Sequence, residues 1–167
     1  HTETVWNLLR KYKVPTFFFI NKLDRTGADL KRVLQEINNN LSKDVCFITD
    51  LEEMNEEVIE FIAEKDELLL DKYLNDEYEN NLWVNKLRDL IRENKIYPCF
   101  SGSALQDEGI REFLNVLEEL TSTNYDSSCE FSGIVNKIRY DSNGTRITFI
   151  KALSGKLKVR DEIEISK

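Results

Sequence analysis

Phe17-Phe18-Phe19-Ile20-Asn21-Lys22-Leu23-Asp24 is the stretch that decides how this chain folds. Four consecutive apolar residues, entered from Pro15 and left through a polar turn, predict a short strand buried on both faces, as in a parallel sheet. Ligands in such sheets sit just past the carboxyl ends of the strands, where Asn21, Lys22 and Asp24 fall. The three side chains suit a purine edge. One ionised carboxylate can accept both N1–H and N2–H₂ of guanine in a bidentate fork, each charge-assisted bond worth about 1.5–3 kcal/mol. Adenine presents an acceptor where guanine donates, and would leave that carboxylate desolvated and unpaired. Asp24 is the candidate fork. Asn21 is a candidate for the O6/N7 side of the base or a brace for the loop, and Lys22 a methylene stem along base and ribose with its ammonium in water. Taken alone the tetrapeptide equally suits a solvated turn; the strand in front of it gives it weight.

A second strand-end loop has complementary chemistry. Tyr97-Pro98-Cys99-Phe100 reads as another buried strand and runs into Ser101-Gly102-Ser103-Ala104-Leu105. A turn of small residues lets the backbone come close, so the Ala104 N–H and the Ser103 hydroxyl can meet a guanine O6 while Leu105 covers a face of the ring.

Helical periods connect these strands. Val5, Leu8, Leu9 and Tyr12 predict an amphipathic helix stopped before Pro15, and Leu30, Val33, Leu34, Ile37 and Leu41 predict another. Strand, loop and helix in this order indicate a doubly wound α/β domain. From Asp44 to Glu79 there are 14 Asp and Glu against 2 Lys, with short helical patterns at Val58/Ile59/Ile62 and Leu69/Leu70/Tyr73/Leu74; this marks a helical insertion placed at about 44–95, whose charge suits a solvated face. Trp83, Leu87, Leu90 and Ile91 predict a helix anchored in the core. Ile110, Phe113, Leu114, Leu117 and Leu120 predict the closing helix.

A polar linker at 123–130 ends the first domain, placed at 1–122, and the period then changes to two. Leu157, Val159, Ile163 and Ile165 share one parity, as in strands with one buried face. Asp141-Ser142-Asn143-Gly144 predicts a hairpin turn in which Asn-Gly supplies positive φ, and Ser154-Gly155 a second turn. Residues 131–167 hold 8 Lys and Arg against 4 Asp and Glu, whereas 1–130 hold 15 against 27, giving the net −8 of the whole. The acidic part is unsuited to phosphate. The basic part, through Lys137, Arg139, Arg146, Lys156, Lys158 and Arg160, is a candidate RNA-facing surface, although solvated strands carry lysines for solubility too.

Composition sets further bounds. With 41% hydrophobic residues the chain supports a true core. No run reaches bilayer-spanning length and no signal-peptide profile opens the sequence, so a cytoplasmic protein without membrane contact is the default. Cys46, Cys99 and Cys129, odd in number and widely spaced, read as reduced thiols and not as a disulfide or zinc framework. His1, the sole histidine, is assigned no catalysis.

Thr2-Glu3-Thr4-Val5-Trp6, Lys11-Tyr12-Lys13-Val14-Pro15 and the N-K-L-D-R-T-G-A-D run from Asn21 to Asp29 resemble elongation factor G and its relatives among translational GTPases. Gly102-Ser103-Ala104 with Gly109-Ile110, and Ser154-Gly155-Lys156-Leu157 with Arg160-Asp161, look most like the tetracycline-resistance ribosomal-protection branch. Asn21 and Ser103 lie 82 positions apart, a spacing that implies an insertion shorter than that of elongation factor G. The resemblance covers nearly the whole chain, thinly between about 45 and 95. It implies a partial P-loop-GTPase-like doubly wound parallel sheet with a helical insertion, followed by the start of a β-barrel second domain at 131–167. Asn21, Lys22, Asp24, Ser103, Ala104 and Leu105 become the guanine-nucleotide contacts for GTP or GDP.

No G-x-x-x-x-G-K-[ST] occurs; Gly155-Lys156 lacks the upstream glycine, and the two D-x-x-G strings, Asp24 to Gly27 and Asp141 to Gly144, fall in the guanine loop and in a hairpin turn. The expectation is therefore a segment of a GTPase without Mg²⁺ ligands of its own, inactive by itself, whose parent binds the ribosome and hydrolyses GTP. A partial barrel would leave edges open to self-association. A translocation factor like elongation factor G, or a stand-alone interaction module without nucleotide chemistry, are the alternatives.

Overall fold

The computed structural model describes residues 1–122 and 125–163. Two compact units divide at Ser122/Thr123. Unit 1 contains α1 (Thr2–Lys11), β1 (Phe18–Ile20), α2 (Leu30–Asn40), β2 (Val45–Phe47), α3 (Glu56–Ala63), α4 (Glu67–Leu74), α5 (Asn80–Arg92), β3 (Tyr97–Ser101) and α6 (Ile110–Leu120). The sheet is parallel throughout, in the order β1-β3-β2, with Phe18 opposite Cys99 and Val45 opposite Tyr97.

Strand alternation divides the core between the two faces. Phe18 and Ile20 of β1, Val45 and Phe47 of β2, and Tyr97 and Cys99 of β3 face α1 and α2, where they pack with Trp6, Leu30, Val33, Leu34, Ile37 and Leu41. Phe19, Cys46 and Phe100 face the other way, toward the cluster built on Ile62, Trp83, Leu87, Ile91 and Leu120. Burial pushes the Cys46 and Cys99 thiols up to about 12, which leaves them as inert small apolar groups. Trp83 is fully buried, and its indole N–H donates to the Ile59 carbonyl at 3.2 Å. Among the described residues no helix is long and apolar enough to cross a membrane.

Pro98 sits in the middle strand, where the missing N–H should cost a ladder bond. The neighbouring bonds explain its tolerance. Tyr97 N–H donates to Asp44, and the Cys99 carbonyl accepts from Ile48, so odd positions of β3 serve β2; Gly102 N–H donates to Ile20, so even positions serve β1. Pro98 therefore turns its nitrogen toward β1 just below Phe18, before that pairing begins.

The structure corrects the expected apolar face of α1. Trp6 is 3% exposed, stacks edge-on against Tyr97 at 4.7 Å and donates its indole N–H to the Leu41 carbonyl at 3.1 Å. Val5, Leu8 and Tyr12 are instead exposed. The indole offers more area than any of these and has a buried polar partner, so it rather than the leucine and valine period sets the helix rotation. The helix stops through a six-to-one bond, Val14 N–H to the Leu9 carbonyl, with Lys13 at φ +52 in the position glycine usually holds. Asp76 and Asn94 end α4 and α5 in the same way, at φ +58 each.

Val45–Phe47, within the stretch read as a helical insertion, is an edge strand of the sheet. The helical patterns that follow are real, with Val58, Ile62 and Leu69 buried, but Leu70 and Leu74 point to solvent. Asp66 caps α4 through Leu68 and Leu69 N–H and bonds Lys86 Nζ at 3.0 Å.

Unit 2 is described as one antiparallel hairpin, β4 (Ser132–Tyr140) with β5 (Arg146–Ser154), with a register shift between Val135 and Lys137. Its turn differs from the expected Asn-Gly type: only Gly144 has positive φ, +80, while Asp141 Oδ1 accepts from Asn143 and Thr145 N–H at 2.8 and 2.7 Å. This is a short loop closed by a left-handed glycine. The strand expected through Leu157, Val159 and Ile163 is absent among the described residues; Lys158 and Asp161 close a turn around Arg160 at φ +72, leaving Val159 at 93% exposure. Ile165 lies outside the described residues. Gly155, at φ +67, lies so close to Cys129 and Phe131 that a Cβ would stand 2.5 Å from the Phe131 nitrogen.

Trp6→Ala should lower unfolding stability by about 3–5 kcal/mol, while Leu8→Ala should stay within about 0.5 kcal/mol, read from urea titrations followed by circular dichroism. The reverse order would refute this helix orientation. Hydrogen bonding to Lys86 holds the Asp66 carboxyl below the usual carboxylate range, so its contribution is complete above the unfolded carboxylate pKa and is lost as pH falls through the folded one. The stability gap between wild type and Asp66→Asn should therefore be full at pH 7 and close below about pH 4.

Candidate functional site

The carboxyl ends of β1 and β3 lie side by side, because Ile20 pairs with Ser101. Past that pair the two loops bind each other. Gly102 N–H donates to the Ile20 carbonyl at 3.0 Å, and Leu23 N–H donates to the Gly102 carbonyl at 3.2 Å. Two side chains complete the junction. Asn21 Oδ1 accepts from Ala104 N–H at 2.9 Å and from Lys22 N–H at 2.7 Å, and the Ser103 hydroxyl donates to Asp24 Oδ1 at 2.5 Å.

The structure thus brings Asn21, Asp24, Ser103 and Ala104 together, with different assignments from those expected for some atoms. The Ala104 N–H and the Ser103 hydroxyl, expected to face a base O6, are directed to Asn21 and Asp24. Ser103 is fully buried and orients the carboxylate. Asn21 braces the loops and leaves its amide N–H₂ without a protein partner among the described residues. Oδ1 of Asp24 carries one hydrogen bond and Oδ2 none among the described residues, so both keep acceptor capacity for a fork of donors. Asp24 is itself exposed.

Lys22 holds φ +70 and is exposed, a left-handed conformation unusual for a residue with a side chain. Asn21 Oδ1 capturing the Lys22 N–H stabilises that bend. Leu105 is 83% exposed beside the loops. The turn that follows Lys22 passes through Gly27 at φ +84 to Asp29, whose carboxylate caps α2 by accepting from Arg32 N–H at 3.0 Å.

Sequence reasoning missed Glu108. Its carbonyl accepts from Ser103 N–H and its N–H donates back to the Ser103 carbonyl, both at 3.0 Å, closing the turn over Gly102. A Cβ on Gly102 would collide with the Glu108 carbonyl oxygen and touch the Phe19 ring at 3.0 Å, and one on Gly109, at φ +72, would stand 2.5 Å from the Ser101 carbonyl. The pair of glycines bracketing the small-residue turn was the available signal. Among the described residues no group of three or more His, Cys, Asp or Glu is placed to hold a metal ion.

Residues 1–123 match the family model of the elongation factor Tu GTP binding domain. Tetracycline resistance protein TetP of Clostridium perfringens is 28% identical over 98% of this chain, and tetracycline resistance protein TetM from transposon Tn1545 of Enterococcus faecalis is 30% identical over 99%. The chain spans 28% of the length of each of these relatives. The crystal structure of ttk003000868 from Thermus thermophilus superimposes with a TM-score of 0.78 at 20% identity, over 96% of this chain and 30% of that one, which establishes the likeness of fold.

Gly102→Ala should cost about 1–3 kcal/mol of stability and displace the amide resonances of Leu23, Ser103 and Ala104, because the 103–108 turn has to lift. Unmoved resonances would contradict the close approach.

Proposed function

The chain belongs to the elongation factor Tu GTP-binding-domain family, and on that premise we propose that unit 1 presents the base-reading half of a guanine-nucleotide site. The observation that carries this reading is the reciprocal bonding of the two strand-end loops, Ser103 to Asp24 and Asn21 to Ala104. It supports a carboxylate fixed in position before any base arrives, so little ordering entropy remains to oppose binding. Asp24 then accepts guanine N1–H and N2–H₂, Asn21 offers its amide N–H₂ to the O6/N7 side, and Lys22 and Leu105 cover the ring faces. Phosphate and Mg²⁺ fall to residues this chain does not carry, since no G-x-x-x-x-G-K-[ST] occurs in it.

The finer reading is a ribosome-associated translational GTPase of the tetracycline-resistance ribosomal-protection kind. Likeness to tetracycline resistance proteins across 98–99% of the chain supports it, as does the shorter spacing between Asn21 and Ser103. In a protein of the relatives' length, GTP hydrolysis would follow ribosome binding and precede departure. The unpaired outer edges of the β4–β5 hairpin, among the described residues, support pairing between copies of this chain at high concentration.

The test uses this chain with millimolar GDP, followed by amide resonances. Base contacts alone correspond to a Kd near or above about 1 mM, with shifts expected at Leu23 to Arg25 and Ser103 to Leu105 and none from ADP. Asp24→Asn should abolish the GDP response and gain one to xanthosine diphosphate, whose C2 carbonyl accepts from an amide N–H₂. Equal responses to GDP and ADP, or an unchanged base preference in the variant, would overturn the assignment.

A further inference from the structure

Three phenylalanine rings meet beneath the turn that carries Ser103. Phe19 of β1 and Phe100 of β3 are register partners and project from the same face of the sheet. Phe113, in the first turn of α6, closes over both, its ring centroid 5.2 Å from that of Phe19 and 5.3 Å from that of Phe100, tilted in each case. Phe113 is half-buried, and its N–H donates to the Gly109 carbonyl at 3.1 Å. Gly109 in turn lies against the Ser101 carbonyl. The start of α6 is thereby tied to the end of β3 twice, by backbone at Gly109 and by the ring of Phe113.

The Phe19 ring reaches out of the core to the loop. Its tip and the Glu108 carbonyl share the space in which a Cβ on Gly102 would stand. Both strand-end loops turn on Gly102, whose N–H goes to Ile20 and whose carbonyl takes the Leu23 N–H, and the next hydroxyl along the chain is the Ser103 donor to Asp24. The contacts run in one order: Phe113 on Phe19, Phe19 on Gly102, Gly102 joined to Ser103, Ser103 on Asp24. A close-packed interior has no void to absorb a displacement, so it passes one on.

We propose that Phe113 is a positioning residue of the base-reading site: by holding Phe19 against Gly102 it sets the height of the Ser103 hydroxyl, and through it the aim of the Asp24 carboxylate. Phe113 itself touches no nucleotide. Without its ring, Phe19 falls into the vacated space, the Gly102 turn settles after it, and the Ser103–Asp24 bond is lost. The consequence for guanine rests on the function proposed above; the cause rests on the geometry of unit 1 alone, so the two can fail separately.

The experiment uses the full chain, first without ligand. Phe113→Ala should shift the carboxyl carbon resonance of Asp24 and speed amide hydrogen exchange at Leu23 and Ala104. Val116→Ala, which opens the same core one turn further along α6, should leave all three at their wild-type values. A merely structural loss would move both variants alike. With millimolar GDP, Phe113→Ala should weaken binding at least about tenfold, the factor expected for one lost hydrogen bond to a charged group, while Val116→Ala binds as wild type does. Phe113→Leu keeps most of the apolar volume and should show the same changes at smaller amplitude, which keeps the test decisive should Phe113→Ala unfold. Unmoved Asp24, Leu23 and Ala104 signals in the Phe113 variants, or equal changes in Val116→Ala, would overturn the proposal. A wild-type chain silent to GDP would overturn the guanine reading, and the ligand-free comparison would still decide whether Phe113 aims the carboxylate.

Discussion

Everything in unit 1 depends on the parallel pairing of β3 with β1. That register sets Ile20 beside Ser101, and the next residues on each strand have no choice but to meet. Gly102 passes its N–H to Ile20, Leu23 reaches back to the Gly102 carbonyl, and only then are Asn21 and Asp24 close enough to take donors from Ala104 and Ser103. The side-chain bonds complete an approach that backbone pairing has already made. Ser103 is buried because it is enclosed by that approach, and a buried hydroxyl without an acceptor would be costly; Asp24 supplies the acceptor.

Much of this was legible in the residues. A continuous apolar run such as Phe17 to Ile20 has few alternatives to a strand covered on both sides, and a small-residue turn behind Tyr97 to Phe100 announces close backbone contact. Trp83, Leu87, Leu90 and Ile91 are all buried as their spacing predicts. What the residues concealed was energetic detail. The α1 period was read from Val5, Leu8, Leu9 and Tyr12, yet only Leu9 of these is half-buried, and a single indole with an acceptor at Leu41 outweighs the other three. The helix ends at Lys13, Asp76 and Asn94 carry no glycine, and the local six-to-one bonds from Val14, Glu77 and Lys95 hold the left-handed turn there instead. The destinations of the Ser103 and Ala104 donors could not be read either, because they depend on which loop closes over which.

Unit 2 shows where period arguments lose force. Turn chemistry identified the hairpin, but alternation at Leu157, Val159 and Ile163 yields no strand among the described residues, since apolar parity matters only when a neighbouring strand offers its edge. Local chemistry took over: Asp161 captured the Lys158 N–H and bent the chain through Arg160. Asp126 does the same at the start of the unit, where bonds from Ser128 and Cys129 hold its carboxyl down to about 2.

Pro98 has a part to play well beyond its own turn of chain. Its ring is harmless only because it lies one step short of the β1 pairing. Sliding β3 by two residues along β1 would push the ring between two strands where a hydrogen should be, and sliding it by one would exchange the two cores. An imino acid upstream of the site thus acts as a mechanical stop, fixing how far the Ser103 hydroxyl protrudes and whether it meets a carboxylate at all.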